Sequence, residues 1–185
     1  MNSKDLEEKF KQWRNLKYYY PYSELSAEPK WRVAILTCMD CRITSTIFGI
    51  EDPGEVIIIR NAGAQLTFDS FRSLLIAIYE FNVEIIAVVG HTDCGGCMNT
   101  SKMNEILSNI SNKVNRPPED ILRLMDVQKV NEVFLGFSDI ENHINKTVEN
   151  IRKHPLISAV EVEIIGYIYE TKTGEMINLS LQSYK

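Results

Sequence analysis

Four cysteines and one histidine stand in a pattern that favours metal chemistry. The cysteines form two C-x-x-C pairs, Cys38-Met-Asp-Cys41 and Cys94-Gly-Gly-Cys97, and His91 lies just before the second pair. In a chain without an export signal, paired cysteines indicate metal binding or redox chemistry before disulfides. Zinc prefers four tetrahedral ligands drawn from thiolates, imidazoles and carboxylates. The sequence therefore predicts a metal site built from these side chains.

Two ligand sets are compatible with this spacing. The first joins Cys38, His91 and Cys94 and leaves a fourth position for water or substrate, as catalytic zinc sites do. The second joins the four cysteines in a closed structural site, which would make the protein a non-enzymatic zinc-binding protein. The first set explains more of the sequence, because Asp40 and Arg42 then lie beside the open position. Spacing alone leaves both sets open.

The elements that would position these residues are short apolar strands that alternate with helices. Apolar runs predict buried strands at 32–37, 56–59 and 85–89, and helical periodicity or composition predicts helices near 69–81, 98–113, 119–135 and 139–153. Residues 160–170 and 176–181 flank a Thr-Lys-Thr-Gly segment and predict a C-terminal hairpin. This order predicts one α/β domain over 1–185, with a mainly parallel central β-sheet flanked by helices. Residues 1–28 predict an N-terminal helical arm.

This topology brings the two cysteine pairs to the same edge of the sheet. In parallel sheets, ligands bind in the crevice beyond the carboxyl ends of the strands. Cys38 follows the first predicted strand, and His91 and Cys94 follow the third. The pairs are distant along the chain, but we expect them to meet in space at the place where a site is expected.

Composition excludes some classes of partner. The chain has 20 lysines and arginines against 25 aspartates and glutamates, a formal charge of −5. This acidic balance gives no electrostatic reason to expect nucleic acid or an anionic membrane as partner. The N-terminus is charged throughout, without the apolar core of a signal peptide, and the apolar runs are too short to span a bilayer. We therefore expect a cytoplasmic protein.

Three motifs, met in order along the chain, resemble the signature of the β-class carbonic anhydrases. They are Cys38-x-Asp40-x-Arg42, Arg60-Asn61-Ala62-Gly63 and His91-x-x-Cys94-Gly95. The short length, together with the late segments at 154–157 and 166–169, resembles the compact archaeal and bacterial branch of that family. The resemblance extends from about residue 30 to residue 175, in order and at sensible spacing.

The resemblance implies an enzyme with one zinc ion per subunit, held by Cys38, His91 and Cys94. It implies reversible hydration of CO2 to bicarbonate by zinc-bound hydroxide. Asp40 would accept the hydrogen bond of that hydroxide, and Arg42 would hold Asp40 through a bidentate, charge-assisted pair. In similar enzymes the corresponding aspartate can also bind the zinc as a fourth ligand. The sequence is compatible with both states, Asp40 bound to zinc and Asp40 paired with Arg42.

The resemblance also implies a pocket, an assembly and an alternative substrate. The residues expected to line the substrate pocket are Asn61, Ala62, Gly63 and Gly95. The working unit would be a homodimer or a higher homo-oligomer. Carbonyl sulfide and carbon disulfide are, like CO2, linear and electrophilic at carbon. Hydrolases of these compounds that resemble this family share the same metal ligands and the same Asp–Arg pair, so sulfur substrates are the alternative.

Several residues near the predicted site remain outside this scheme. Cys41 and Cys97 are unusual for the family, and three interpretations compete: small, partly buried residues without chemistry, a redox pair, or alternative metal ligands. His143 lies in a polar helical stretch and is expected at the surface. His154 precedes a proline at a predicted helix end and is expected to meet exposed backbone carbonyls there.

Overall fold

The computed structural model describes residues 1–13 and 24–179, and in this part of the chain one five-stranded sheet organises the fold. The strands are β1 (Val33–Cys38), β2 (Ile57–Asn61), β3 (Ile85–His91), β4 (Glu163–Tyr169) and β5 (Met176–Asn178). The α-helices are α1 (Ser3–Trp13), α2 (Phe68–Tyr79), α3 (Thr100–Val114), α4 (Pro118–Leu124), α5 (Val130–Phe134), α6 (Ile140–Lys153) and α7 (Pro155–Ser158). A short 3-10 helix spans Ser45–Phe48.

The sheet has the strand order β2-β1-β3-β4-β5. The first four strands are parallel, and β5 runs antiparallel to β4 after the predicted turn. Along the chain, β1 is followed by β2, its neighbour on one side. Strand β3 is followed by β4, its neighbour on the other side. Neighbouring strands whose connections diverge in this way leave a crevice between their carboxyl ends. The predicted α/β fold with a mainly parallel sheet and a C-terminal hairpin is confirmed.

The central strands are apolar because both of their faces are covered. Ala34 and Leu36 of β1 belong to the main hydrophobic core, whereas Ile35, between them, packs in a smaller cluster on the opposite face. Helix α6 lies close against β3: a β-carbon at Gly90 would stand only 2.7 Å from Cγ1 of Ile144. Glycine at this position lets α6 pack directly behind the end of β3, where His91 follows.

Two predicted elements differ in the structure. The helix predicted over 119–135 is two helices, α4 and α5, because the chain turns at Asp126, whose φ of 54° lies in the left-handed region. The strand predicted from residue 160 begins at Glu163, beside the start of β3. Helix α1 covers part of the predicted arm, which otherwise lies partly outside the described residues and stays a prediction. Within 1–13 and 24–179, no helix is both long and apolar enough to cross a membrane.

Candidate metal centre

Two cysteines and one histidine converge at the carboxyl ends of β1 and β3. Cys38 is the last residue of β1, His91 is the last residue of β3, and Cys94 lies in the loop that follows. The Cys38 and Cys94 sulfur atoms are 3.7 Å apart. One potential ligand atom from each of the three residues lies within 4.8 Å of the others, and all three residues are buried. This group of three is hereafter called the ligand cluster.

The imidazole of His91 presents its Nε2 atom to the cluster. Its Nδ1 atom lies 2.8 Å from the carbonyl oxygen of Thr92. Because a carbonyl oxygen only accepts, Nδ1 carries a proton, and in the neutral imidazole Nε2 then keeps its lone pair. Among the residues that the structure describes, this buried Nε2 has no hydrogen-bond partner. A buried polar atom left unpaired is costly, and a metal ion would satisfy it.

Backbone amides support both sulfur atoms. The N–H of Gly63 donates to Cys38 Sγ, and the N–H of Gly96 donates to Cys94 Sγ, each at 3.4 Å. The hydrogen bond with the Cys94 thiol lowers the pKa of Cys38, and the same sharing of a proton raises the pKa of Cys94. The metal-free pair therefore holds one negative charge readily. Metal binding requires both thiols to lose their protons.

The surroundings of His91 shift the pKa of its imidazole in opposite directions. Burial lowers the pKa of this imidazole, whereas the neighbouring Cys38 sulfur and the Thr92 carbonyl raise it, and the net shift is upward. The side chain is only 1% exposed. A thiolate–imidazole cluster of this kind attracts a proton or a metal cation, and the neutral imidazole is the form that ligates metal.

Asp40 and Arg42 form an ion pair beside the cluster. Arg42 donates from Nε to Asp40 Oδ1 at 3.0 Å and from Nη2 to Oδ2 at 2.8 Å, and its backbone N–H also reaches Oδ1. These hydrogen bonds hold the pKa of Asp40 well below its usual range. Asp40 Oδ2 lies 3.9 Å from His91 Nε2, so the carboxylate borders the cluster. Because Arg42 binds both carboxylate oxygens, the structure records Asp40 turned to the arginine.

Arg60 also braces this loop, a role that the sequence analysis did not assign. Its Nε donates to the carbonyl oxygen of Cys38 at 3.1 Å, and its Nη2 donates to that of Asp40 at 2.7 Å. Arg60 lies beside Thr37 in the register of β1 and β2. Arg60 is the first residue of the Arg-Asn-Ala-Gly motif, and this position could have indicated its role near the site.

The residues predicted to line the pocket have different environments. Asn61 closes the turn after β2, because its side chain bonds both the N–H and the carbonyl oxygen of Gln65 at 2.7 Å. Gly63 is buried against Cys38, with φ of 80°. Ala62 and Gly95 are exposed. Of these four residues, Gly63 is the one for which the structure describes a hydrogen bond to a cluster sulfur. The pocket role of all four residues stays a prediction.

Cys41 and Cys97 lie apart from the cluster. Both are exposed, so the partial burial expected of them is wrong, whereas the interpretation that they carry no chemistry stays a prediction. The sulfur of Cys97 lies 3.5 Å from the carbonyl oxygen of Ser138. In the described ranges, the group able to hold a metal contains His91 and two cysteines, and neither Cys41 nor Cys97 belongs to it. The geometry favours the open ligand set over a site of four cysteines.

His143 is not the surface residue that its polar surroundings predict. Its ring is half-buried and stacks on Phe137, with the centroids 4.1 Å apart and the planes 1° from parallel. Its Nε2 atom lies 2.9 Å from the carbonyl oxygen of Gly63. The buried Ile144 next to it on α6 is the signal that could have indicated this packing. The expected contact of His154 with exposed carbonyls is wrong, because its Nδ1 atom accepts a hydrogen bond from the Leu156 N–H at the start of α7.

Comparisons with known proteins agree with this geometry. The sequence profile described as "Carbonic anhydrase" matches residues 33–176. YtiB of Bacillus subtilis (strain 168) is 33% identical over 85% of each chain. A carbon disulfide hydrolase of Acidianus sp. (strain A1-3) is 34% identical over 78% of this chain and 76% of its own. The solved carbonic anhydrase of Streptococcus mutans is 31% identical, with a TM-score of 0.75 over 97% of this chain and 98% of its own. The chain therefore belongs to the β-class carbonic anhydrase family.

Proposed function

We propose that this protein is a zinc-dependent carbonic anhydrase that interconverts CO2 and bicarbonate. One observation carries the proposal: the buried Nε2 atom of His91, which has no hydrogen-bond partner in the described part of the chain, faces the sulfur atoms of Cys38 and Cys94. Two thiolates and one imidazole are a donor set that zinc favours, and catalytic zinc sites keep the fourth position open. When bound, zinc acts as a Lewis acid that lowers the pKa of a coordinated water toward about 7.

The residues of this chain would then orient the reacting water. With its depressed pKa, Asp40 is ionised at neutral pH and only accepts hydrogen bonds. A water between Asp40 and the cluster would donate a hydrogen bond to this carboxylate and turn a lone pair toward the substrate. Arg42 keeps the carboxylate in one orientation through its bidentate pair. A fixed orientation of this kind lowers the entropic cost of reaching the transition state, because the reacting groups are aligned before the substrate binds.

Hydrolysis of carbon disulfide is the second candidate. It is favoured by the relatives named carbon disulfide hydrolase, one of which is 34% identical to this chain. Carbon disulfide is linear and electrophilic at carbon, as CO2 is, so attack by an oriented water applies to both. Carbonyl sulfide belongs to the same class of substrate.

The assembly and location are part of the proposal. We infer a homodimer or a higher homo-oligomer, because α2 exposes large apolar side chains at Phe68, Ile76 and Tyr79. We infer a cytoplasmic protein, because free thiols persist best in a reducing compartment. Residues 1–185 would act as one unit with residues 1–28 as an arm. Light scattering after size-exclusion chromatography tests the assembly.

The decisive experiment is a substrate assay on the purified, zinc-loaded protein. Stopped-flow measurement with a pH indicator follows the hydration of CO2, and release of hydrogen sulfide follows the hydrolysis of carbon disulfide. We expect rapid CO2 hydration that His91→Ala abolishes. Hydrogen sulfide release without CO2 hydration would move the assignment to the second candidate. Activity toward neither substrate, with zinc bound, would refute both.

A further inference from the structure

Two stacked rings pack against the backbone beside the ligand cluster. The ring of Phe137, just before α6, lies parallel to the imidazole of His143 on α6. On the cluster side, a β-carbon at Gly63 would stand 2.9 Å from Phe137 Cε1, and one at Gly96 would stand 3.1 Å from the same atom. Only glycine lets the ring approach both loops this closely.

The two glycines next to Phe137 are also the residues whose N–H groups donate hydrogen bonds to the cluster sulfurs. Gly63 donates its N–H to Cys38 Sγ. Gly96 donates its N–H to Cys94 Sγ. The carbonyl of Gly63 is held in turn by Nε2 of His143 at 2.9 Å. Because a carbonyl oxygen only accepts, His143 is the donor in this bond. Gly63 is therefore fixed at both of its peptide groups, by the cysteine on one side and by the imidazole on the other.

We propose that His143 is a positioning residue of the metal centre, which keeps the Gly63 N–H on the Cys38 sulfur and thereby tunes that sulfur as a metal ligand. The inference rests on the proposed metal site and adds a residue to it. A hydrogen bond to a thiolate stabilises its charge and reduces the electron density that it donates to a metal. Loss of the imidazole N–H frees the Gly63 loop, so the Cys38 sulfur loses a fixed hydrogen bond and donates more electron density to a metal.

Three variants separate the hydrogen bond from ring packing. His143→Phe keeps a ring that can stack on Phe137 but removes the N–H. His143→Gln removes the ring but keeps an N–H donor. His154→Phe is the matched control, because the His154 ring also lies 4.1 Å from a phenylalanine ring, that of Phe71, and makes no hydrogen bond to Gly63.

The probes are the metals alone, read by spectroscopy and by affinity. In the cobalt-substituted protein, the sulfur-to-cobalt charge-transfer band reports the donor strength of the thiolates. We expect His143→Phe to shift this band to longer wavelength and to weaken zinc binding at neutral pH by about tenfold, within the range seen for outer-sphere partners of metal ligands. His143→Gln should restore most of both values, and His154→Phe should leave both unchanged.

Each outcome decides the inference. An unshifted band with wild-type zinc affinity in His143→Phe would overturn it, and so would equal shifts in His143→Phe and His143→Gln. If His143→Phe does not fold, His143→Leu, which is smaller and also lacks an N–H, takes its place. Failure of the proposed metal site is distinguishable, because the wild-type protein would then show no charge-transfer band at all. Failure of the proposed catalysis is also distinguishable, because it would leave the band of the wild-type protein in place.

Discussion

Arg42 binds both carboxylate oxygens of Asp40, which stands only two residues earlier in the chain. Arg42→Ala would remove this pair, and we expect CO2 hydration to fall by about a hundredfold or more because the carboxylate loses its fixed orientation. Zinc content should not change, because neither residue belongs to the ligand cluster. Stopped-flow rates and zinc analysis of the same preparation check this. Full activity in Arg42→Ala would remove the pair from the mechanism.

Arg42→Lys serves as the matched control for charge. Lysine keeps the positive charge but cannot form the fork-shaped double hydrogen bond to a carboxylate. We expect activity between those of the wild type and Arg42→Ala. Activity equal to the wild type would mean that charge, and not orientation, is what Arg42 supplies.

Removal of His91 should destroy the metal site. We expect His91→Ala to lose more than about a hundredfold in zinc affinity, since a direct ligand matters more than the outer-sphere partners whose loss costs up to that amount. Competition with a chromophoric chelator measures the affinity. His154→Ala is the control for loss of an imidazole elsewhere. Retention of tight zinc binding in His91→Ala would show that another ligand set operates.

The exposed cysteines should not contribute ligands. We expect the double variant Cys41→Ser/Cys97→Ser to bind as much zinc as the wild type, because neither sulfur belongs to the ligand cluster. Metal analysis after gel filtration measures the content. A marked loss of zinc would instead support the closed site of four cysteines.

Gly63→Ala should destabilise the protein through two separate effects. The left-handed φ of 80° costs an alanine about 1–2 kcal/mol, and its β-carbon would collide with Phe137. Gly49→Ala is the control, because φ is similar at 72° and no heavy atom of the described chain lies within 4 Å of its β-carbon. We expect Gly63→Ala to lower the free energy of unfolding by at least about 1 kcal/mol more than Gly49→Ala. Urea denaturation of the metal-free proteins tests this, and equal losses would contradict the close packing.

Acid should weaken the fold partly through His143. Burial lowers the pKa of this imidazole below the unfolded value of about 6.5. Its contribution to stability is therefore complete above that pH and is lost as the pH falls through the folded pKa. We expect metal-free wild type to lose more unfolding free energy than His143→Phe between about pH 7.5 and 5.5. Urea denaturation at both pH values measures this difference, in which the groups that titrate alike in the two proteins cancel. Equal losses would contradict the shift.

Much of the fold and of the ligand cluster could be predicted from the sequence. Continuous apolar runs indicate buried parallel strands, and such strands bring their carboxyl ends to one edge. This reasoning places Cys38 and His91 together before any coordinates are known. The predicted helix over 119–135 failed because a lone aspartate is a weak signal: Asp126 tolerates the left-handed region, but aspartate also occurs within helices.

The residues around the cluster could not be predicted in the same way. Phe137 and His143 act through the space between α6 and the two glycine loops, and the spacing of residues along the chain does not report such packing. A polar helical stretch normally faces solvent, which is why His143 was expected at the surface. The stack on Phe137 and the hydrogen bond to the Gly63 carbonyl explain why an imidazole is half-buried there.

The two cluster sulfurs are 56 residues apart in sequence and 3.7 Å apart in space. An ion held between them would fasten the first β-strand unit to the third and close a long loop of polypeptide, as a covalent cross-link does. An unfolded chain rarely brings such distant thiols together, so pairing of β1 with β3 must come first. Metal binding would thus follow assembly of the sheet and stabilise it. Without the ion, the protein would still fold but would have a lower free energy of unfolding.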